Sequence, residues 1–335
     1  MLRDFNLIHA IKAQKKFTDV HLYCLLIFIF LMAPFTMATE KISSQAPLQT
    51  LNTKSAKKTN LSAVKLKTKK SFTKDIDKTI TNKELRTLTG SKSKYSMSIG
   101  STYIGGSILQ PFGKIRPSIF GDSQDARSTN LSGTVSLRYR LSSHGSISAG
   151  SGISFLRPWH ENNNTSLSDP FLAYTTAYKL GPLQVLTIPK FTLGTSNSSR
   201  EVSRIGHFDF TNFFYNKLYD SRLTVGMVFT YRQYDYYSTA DPESTNYLIS
   251  LLPLAEYKLT DTYALKTLLS YSFSHGIKDK SQSPFDMHQG RLVQAVGVRI
   301  SVNRDMNLYP SILFTPKNLV LADTNFSLNL TMNAF

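Results

Sequence analysis

Between Tyr95 and Phe335 apolar and polar residues alternate with period two in one segment after another. Segment 131–141 (LSGTVSLRYRL) sets Leu131, Val135, Leu137, Tyr139 and Leu141 against Ser132, Thr134, Ser136, Arg138 and Arg140. Successive side chains of a strand point to opposite faces, so such a segment needs one apolar and one polar neighbour. The pattern returns in 146–156, 222–234 and 324–334. It predicts twelve strands, at 95–104, 131–141, 146–156, 171–180, 183–194, 207–219, 222–234, 247–258, 263–275, 288–302, 308–315 and 324–334. Most exceed the usual soluble strand of about 5–6 residues and approach the roughly 9–11 that cross a bilayer at a tilt.

The connections constrain the chain further. Ser142-Ser143-His144-Gly145, Gly181-Pro182, Asp220-Ser221, 259–262 (LTDT) and 303–307 (NRDMN) are short, and every joint between them is longer and rich in Asn, Ser, Asp and Pro. Strict alternation puts all tight turns at one end and all long loops at the other, as in an up-and-down barrel with both termini on the turn side. Tyr139, Tyr178, Tyr219, Tyr257, Tyr263 and Tyr309 fall near tight turns. Tyr103, Phe155, Trp159, Tyr231, Tyr234, Tyr247, Tyr271, Phe273 and Phe314 fall near long loops, giving the two aromatic girdles of a bilayer-spanning barrel.

On these residues the chain resembles Gram-negative outer-membrane β-barrel proteins over 95–335. The resemblance implies a twelve-stranded antiparallel up-and-down transmembrane barrel, porin-like in class, in contact with outer-membrane lipid and lipopolysaccharide. It also implies that the assembly machinery reads the C-terminal aromatic, here Phe335. One departure implies either a local bulge or a weaker assembly signal: Phe326, Leu328, Leu330 and Met332 are out of phase with Phe335.

Ahead of the barrel, Arg3, Lys12, Lys15 and Lys16 precede the apolar block Val20 to Phe35, and Thr36-Met37-Ala38 follows, which is the layout of a signal peptide over 1–38, an uncleaved N-terminal anchor being the alternative. The one cysteine, Cys24, lies in that block, so disulfides and thiolate sites drop out of the mature chain. Residues 39–93 carry thirteen basic and four acidic side chains and few apolar ones, which predicts a mostly disordered periplasmic spacer. The exception is a weak helical signal from Thr73 to Leu88: Ile76 and Ile80 share a face, while Leu85 and Leu88 fall well round the circumference. The spacer reads as a linker, as a tether to an anionic partner, or as a segment entering the domain behind it. More than half of the +17 net charge lies there, and no nucleic-acid module accompanies it.

With the polar face turned inward, the pore-lining set is Arg138, Arg140, Lys190, Arg232, Lys266 and Arg299 against Asp209 and Glu256. Such a bias selects anions, and its alternative is a salt-bridged plug. The longest loop, 105–130, holds Phe112, Lys114, Arg116 and Phe120 as a candidate constriction, or packs on neighbouring loops. Tyr234, Tyr236 and Tyr237 suit either sugar stacking or the outer girdle.

No catalytic residue, metal site or cofactor is predicted. His144 and Ser146 have the spacing of the outer-membrane phospholipases, yet His144 falls in a tight turn, and spacing alone does not make a triad. His160-Glu161 lacks the second histidine of a zincin helix, and His275 with Asp279 at a loop rim lacks paired acids. The chain therefore reads as an outer-membrane channel for small polar or anionic solutes. The alternatives are a barrel enzyme, lipid hydrolase or rim protease, and a small autotransporter-like translocator or structural barrel in which 73–88 threads the pore.

Overall fold

The computed structural model describes residues 74–334 apart from 122–125, 162, 219–220, 238–240, 242–243, 278–282 and 284. The signal-peptide reading, the spacer up to 73, Tyr219, Asp279 and Phe335 lie outside the described residues. Twelve long strands follow one another as β1 Tyr95–Ser107, β2 Asn130–Arg140, β3 Gly145–Leu156, β4 Phe171–Leu180, β5 Leu183–Leu193 and β6 Arg204–Lys217. They continue as β7 Leu223–Tyr236, β8 Thr245–Lys258, β9 Tyr263–Gly276, β10 Val293–Ser301, β11 Met306–Phe314 and β12 Asn325–Ala334. Each pairs antiparallel with its sequence neighbours, and β1 pairs with β12 from Met97↔Ala334 to Ser107↔Asn325, so the sheet closes. Closure removes the unpaired edge that lipid cannot satisfy. The predicted segments agree with these strands to within three residues at each end, except 288–302, which splits into a bridge at His288–Gln289 and β10.

Alternation sorts the two faces. Val135, Leu137, Leu172, Tyr174, Phe191, Phe208 and Leu265 are exposed on the outside, where an apolar belt meets acyl chains at no desolvation cost. Ser136, Ser148, Thr175, Glu256, Arg299 and Ser327 are buried on the inside. Tyr95, Tyr139, Tyr178, Tyr257 and Tyr263 remain exposed at the turn end, as a girdle requires. Two aromatics that sequence position assigned to girdles face inward instead: Tyr309 donates to Lys266 O at 3.2 Å, and Tyr234 lies beside Arg232 and His207. Parity decides this, because Tyr309 shares its face with Asn307 and Ser311, and Tyr234 shares its own with Arg232.

The 105–130 loop corrects the constriction reading. Tyr103 points outward, and Phe112 stacks on it at 5.9 Å between centroids, with Trp159 and Phe326 at 6.4 and 6.2 Å. Tyr103 Oη donates to Pro111 O at 3.0 Å, so the loop returns down the outer wall. A Cβ at Gly105 would lie 2.1 Å from Pro111 O, which is why glycine stands there. Arg116 pairs with Arg127 in a two-residue ladder, Lys114 O accepts from Thr129 N, and Phe120 lies 4.7 Å beneath the Arg291 guanidinium of a neighbouring loop. Phe112 thus finds aromatic surface outside the barrel, away from its polar mouth.

Val135→Arg, on the lipid face, is expected to lower folding stability by roughly 2–4 kcal/mol, whereas Thr134→Arg, on the lumen face, costs less than about 1 kcal/mol. Urea titration of both variants in lipid vesicles reads the difference.

Candidate functional site

Helices α1 Lys74–Thr79 and α2 Lys83–Leu88 lie within the turn end of the barrel. A single helix through 74–88 would splay its four apolar residues, and the chain avoids this by breaking at Thr81-Asn82. Asn82 caps α2, its side chain accepting from Leu85 N at 3.1 Å. Gln184 Oε1 on β5 takes the two N–H groups freed by the break, from Thr81 at 2.6 Å and Asn82 at 2.8 Å. Ile76, Ile80 and Leu85 are then buried against Ala177, Leu186, Tyr215 and Leu254, with Leu88, Ile188, Phe213, Val228 and Leu268 packed alongside. Each such buried aliphatic contributes on the order of 1.5–3 kcal/mol.

Charge completes the anchoring. Lys266 Nζ donates to both Glu84 oxygens at 2.7 and 2.6 Å, and Tyr215 Oη donates to Glu84 at 3.1 Å. Asp77 takes Arg304 and Lys92, each at 3.0 Å. Burial pushes both carboxyls up, and the facing cations outweigh it, so both sit below their ordinary values. The carbonyls left unpaired at the end of α2 meet arginines: Arg138 donates to Leu88 O at 2.8 Å, and Arg140 to Thr89 O at 3.2 Å and Ser91 O at 2.7 Å. Asn333 donates to Thr87 O at 2.7 Å and Arg304 to Gly90 O at 2.9 Å. Gly90 has φ +85° and ends α2 in the left-handed region, and a Cβ there would lie 2.7 Å from Arg138 Cδ.

Above the plug lies a chamber of about 880 Å³, lined by Ser132, Thr134, Lys190, Thr192, Asp209 and Arg232 among others. Lys190 Nζ stands 2.9 Å and Arg232 Nε 2.5 Å from Asp209, with His207 Nε2 at 3.7 Å. Two cations thus share one carboxylate. At its rim Asp169 accepts from Thr195 N, Ser196 N and Ser199 Oγ at 2.8, 2.7 and 2.5 Å, and Arg204 lies 3.7 Å away. Below and beside α2, Arg299 grips Glu256 with two bonds of 2.8 and 2.7 Å.

The eight residues read from the sequence as pore-lining are therefore divided by the fold. Arg138, Arg140 and Lys266 hold the plug, Arg299 and Glu256 bind each other, and Lys190, Asp209 and Arg232 face the chamber. Alternation gave no sign of Asp77, Glu84, Gln184, Tyr215, Arg304 or Asn333 as partners, since each needs the segment ahead of β1 to be inside. One signal was present in the sequence: 213–215 (FFY) and 251–254 (LLPL) are apolar on both faces, and a barrel wall buried on both sides reads that way. His144 approaches Thr79 Oγ1 at 3.4 Å and Ser143 Oγ at 2.7 Å, and its described hydrogen bonds do not include Ser146. His160 Nε2 donates to Phe112 O at 2.8 Å, and His275 stacks on Tyr247 at 4.8 Å on the outer wall. Among the described residues no group of three His, Cys, Asp or Glu is placed to hold a metal ion.

No family model and no curated protein matches the chain. Solved structures do. An outer membrane channel from Pseudomonas putida F1 is 11% identical, with 72% of this chain and 96% of that one covered and a TM-score of 0.48. The NanC porin is 9% identical over 71% and 98%, with a TM-score of 0.40. The KdgM porin in complex with disordered oligogalacturonate is 8% identical over 72% and 99%, with a TM-score of 0.39. At such values the use of the lumen rests on this chain's own residues.

Glu84→Gln removes the carboxylate from Lys266 and is expected to weaken plug seating by about 3 kcal/mol, the low end for a broken buried pair because the Glu84 side chain keeps 23% exposure. Gly90→Ala acts in the same direction through strain at φ +85° and the collision with Arg138. Faster amide hydrogen exchange in α1 and α2, with the strands unchanged, is the measurement for both. Because Asp77 and Glu84 sit below their ordinary values, their contribution is complete above about pH 4.5 and disappears as pH falls through the depressed values. Exchange in α1 and α2, corrected for its intrinsic pH dependence, therefore rises below about pH 4.

Proposed function

We propose that the chain is an outer-membrane channel for small polar or anionic solutes, with turns, plug and both termini on the periplasmic side. The chamber carries the reading: it is lined largely by Ser, Thr and Gly and holds Lys190 and Arg232 about Asp209, while its other carboxylate, Asp169, faces Arg204. Two cations to one carboxylate lower the barrier for an anion in a confined space of low dielectric. The second cavity, of about 590 Å³ at the turn end, is lined by Lys83, Lys217, Arg222, Glu256, Lys258, Asp261 and Arg299, so the basic excess continues past the plug. Between the two cavities the plug makes the channel a narrow one, and passage depends on how firmly α1 and α2 are seated.

The experiment is planar-bilayer conductance under a salt gradient. A small conductance with an anion-selective reversal potential is expected, rising severalfold when residues 74–92 are deleted. Lys190→Glu with Arg232→Glu is expected to move the reversal potential toward cations. Absence of conductance in the deletion variant overturns the channel reading.

One observation favours a second reading. The segment preceding β1 lies inside the lumen, as a translocator's helix does. Protease accessibility of residues 39–72 on intact cells separates the two, since a periplasmic tail is protected and a translocated one is cut.

A further inference from the structure

The inner wall carries more apolar surface than the plug covers. A third cavity, of about 450 Å³, lies between α2 and the strands. Its floor is Leu88 and Glu84, and its walls include Phe213, Val228, Leu252, Leu268, Ala295 and Leu313, most of them only half-buried. A pore that passes only hydrated solutes gains nothing from such a lining, and nearer the long-loop end the same strands turn Asp209, Thr211, Thr230, Arg232, Ser270 and Ser272 inward. Every charged group at this cavity is already matched, Lys266 with Glu84 and Arg299 with Glu256. The cavity offers a guest apolar contact and no uncompensated charge.

It also adjoins the chamber above, since Thr102, Phe213, Asn329 and Thr331 line both. In that chamber Lys190 and Arg232 share the carboxylate of Asp209 and keep 33% and 32% of their side chains exposed. On β7, Arg232 is four residues from Val228, and on β6, Asp209 is four residues from Phe213. At about 3.3 Å per residue the cationic group and the apolar pocket are roughly 13 Å apart. Small-molecule sites are concave and mostly apolar, with a few polar groups that fix orientation, and the pocket lies within their usual range of about 300–1,000 Å³.

We infer that the lumen binds an amphipathic monocarboxylate, its head at Lys190 and Arg232 and its apolar body in the pocket walled by Phe213, Val228, Leu252, Leu268 and Leu313. The inference rests on the channel reading for the ligand's route and names the solute class that the route serves. Binding itself needs no conductance.

The test is equilibrium dialysis of labelled butyrate, hexanoate, octanoate and decanoate against the full chain in lipid nanodiscs, with empty nanodiscs as reference. One saturable site per barrel is expected, tightening roughly fourfold per methylene until the pocket is filled. Decanol, which has the same tail and no charge, is expected to bind about tenfold more weakly than decanoate. Lys190→Gln with Arg232→Gln closes most of that gap. Leu252→Asn, which wets the pocket, and Leu313→Trp, which fills it, each weaken decanoate about tenfold or more. Heat-modifiable mobility on gels reports whether each variant keeps its barrel, and the wild-type chain-length series decides the question without any variant. A series with no dependence on length, or decanol equal to decanoate, overturns the inference. Conductance without saturable decanoate binding overturns it while leaving the channel reading intact. Binding without conductance does the reverse.

Discussion

The structure depends on the closure of β1 against β12. In lipid an unpaired strand edge has no water to satisfy its N–H and C=O groups, so twelve alternating strands have no stable arrangement except a closed ring. Once the ring is closed, each strand has a lipid side and a lumen side, and the parity of every residue becomes a statement about its solvent. Val135 and Leu137 are tolerable when exposed because acyl chains receive them, and Ser136 and Arg138, which alternate with them, are tolerable because the lumen does.

Closure also creates an interior that must be satisfied. Arg138, Arg140 and Arg304 point into a confined space at the turn end, and an arginine held there without acceptors is costly. The plug answers with what a short helix has in surplus, the carbonyls at its C-terminal end, together with Asp77 and Glu84. The exchange is mutual, since Gln184 supplies the acceptor that two N–H groups lose where the helix breaks. The plug is thus specified by complementary polar groups at the turn end and by Ile76, Ile80, Leu85 and Leu88 against the wall. The upper chamber has no such filling, and there Lys190 and Arg232 share one carboxylate with space beside them.

Legibility of the chain in sequence followed the range of the interactions. Strand positions, the tight turns and most of the outer face were readable because alternation and turn residues act over a few positions, and the barrel class followed from the order of short and long joints. The plug was readable only as a weak helix, because its two apolar pairs look incompatible until the chain bends at Asn82 and both meet one wall. The 105–130 loop stayed open between a constriction and packing on neighbouring loops for a related reason: its apolar residues called for a covered site, and Tyr103, Trp159 and Phe326, which provide one for Phe112, lie outside the barrel. Tyr309 and Tyr234 were given to the girdles by height alone, while parity turned them inward.

The sequence by itself determined a closed twelve-stranded barrel, since period-two alternation in strands of this length has no other partner for its apolar face than lipid. It also determined which cations face inward, because a charge on the lipid side is expelled by its own hydration. What each of those cations does was decided only by the tertiary structure. Arg138 and Arg140 hold carbonyls, Lys266 holds Glu84, Arg299 holds Glu256, and Lys190 and Arg232 share Asp209 at the wall of the chamber. Those partners lie on strands and helices far apart in the chain, and an electrostatic partner is chosen by distance in space, which period and composition do not encode.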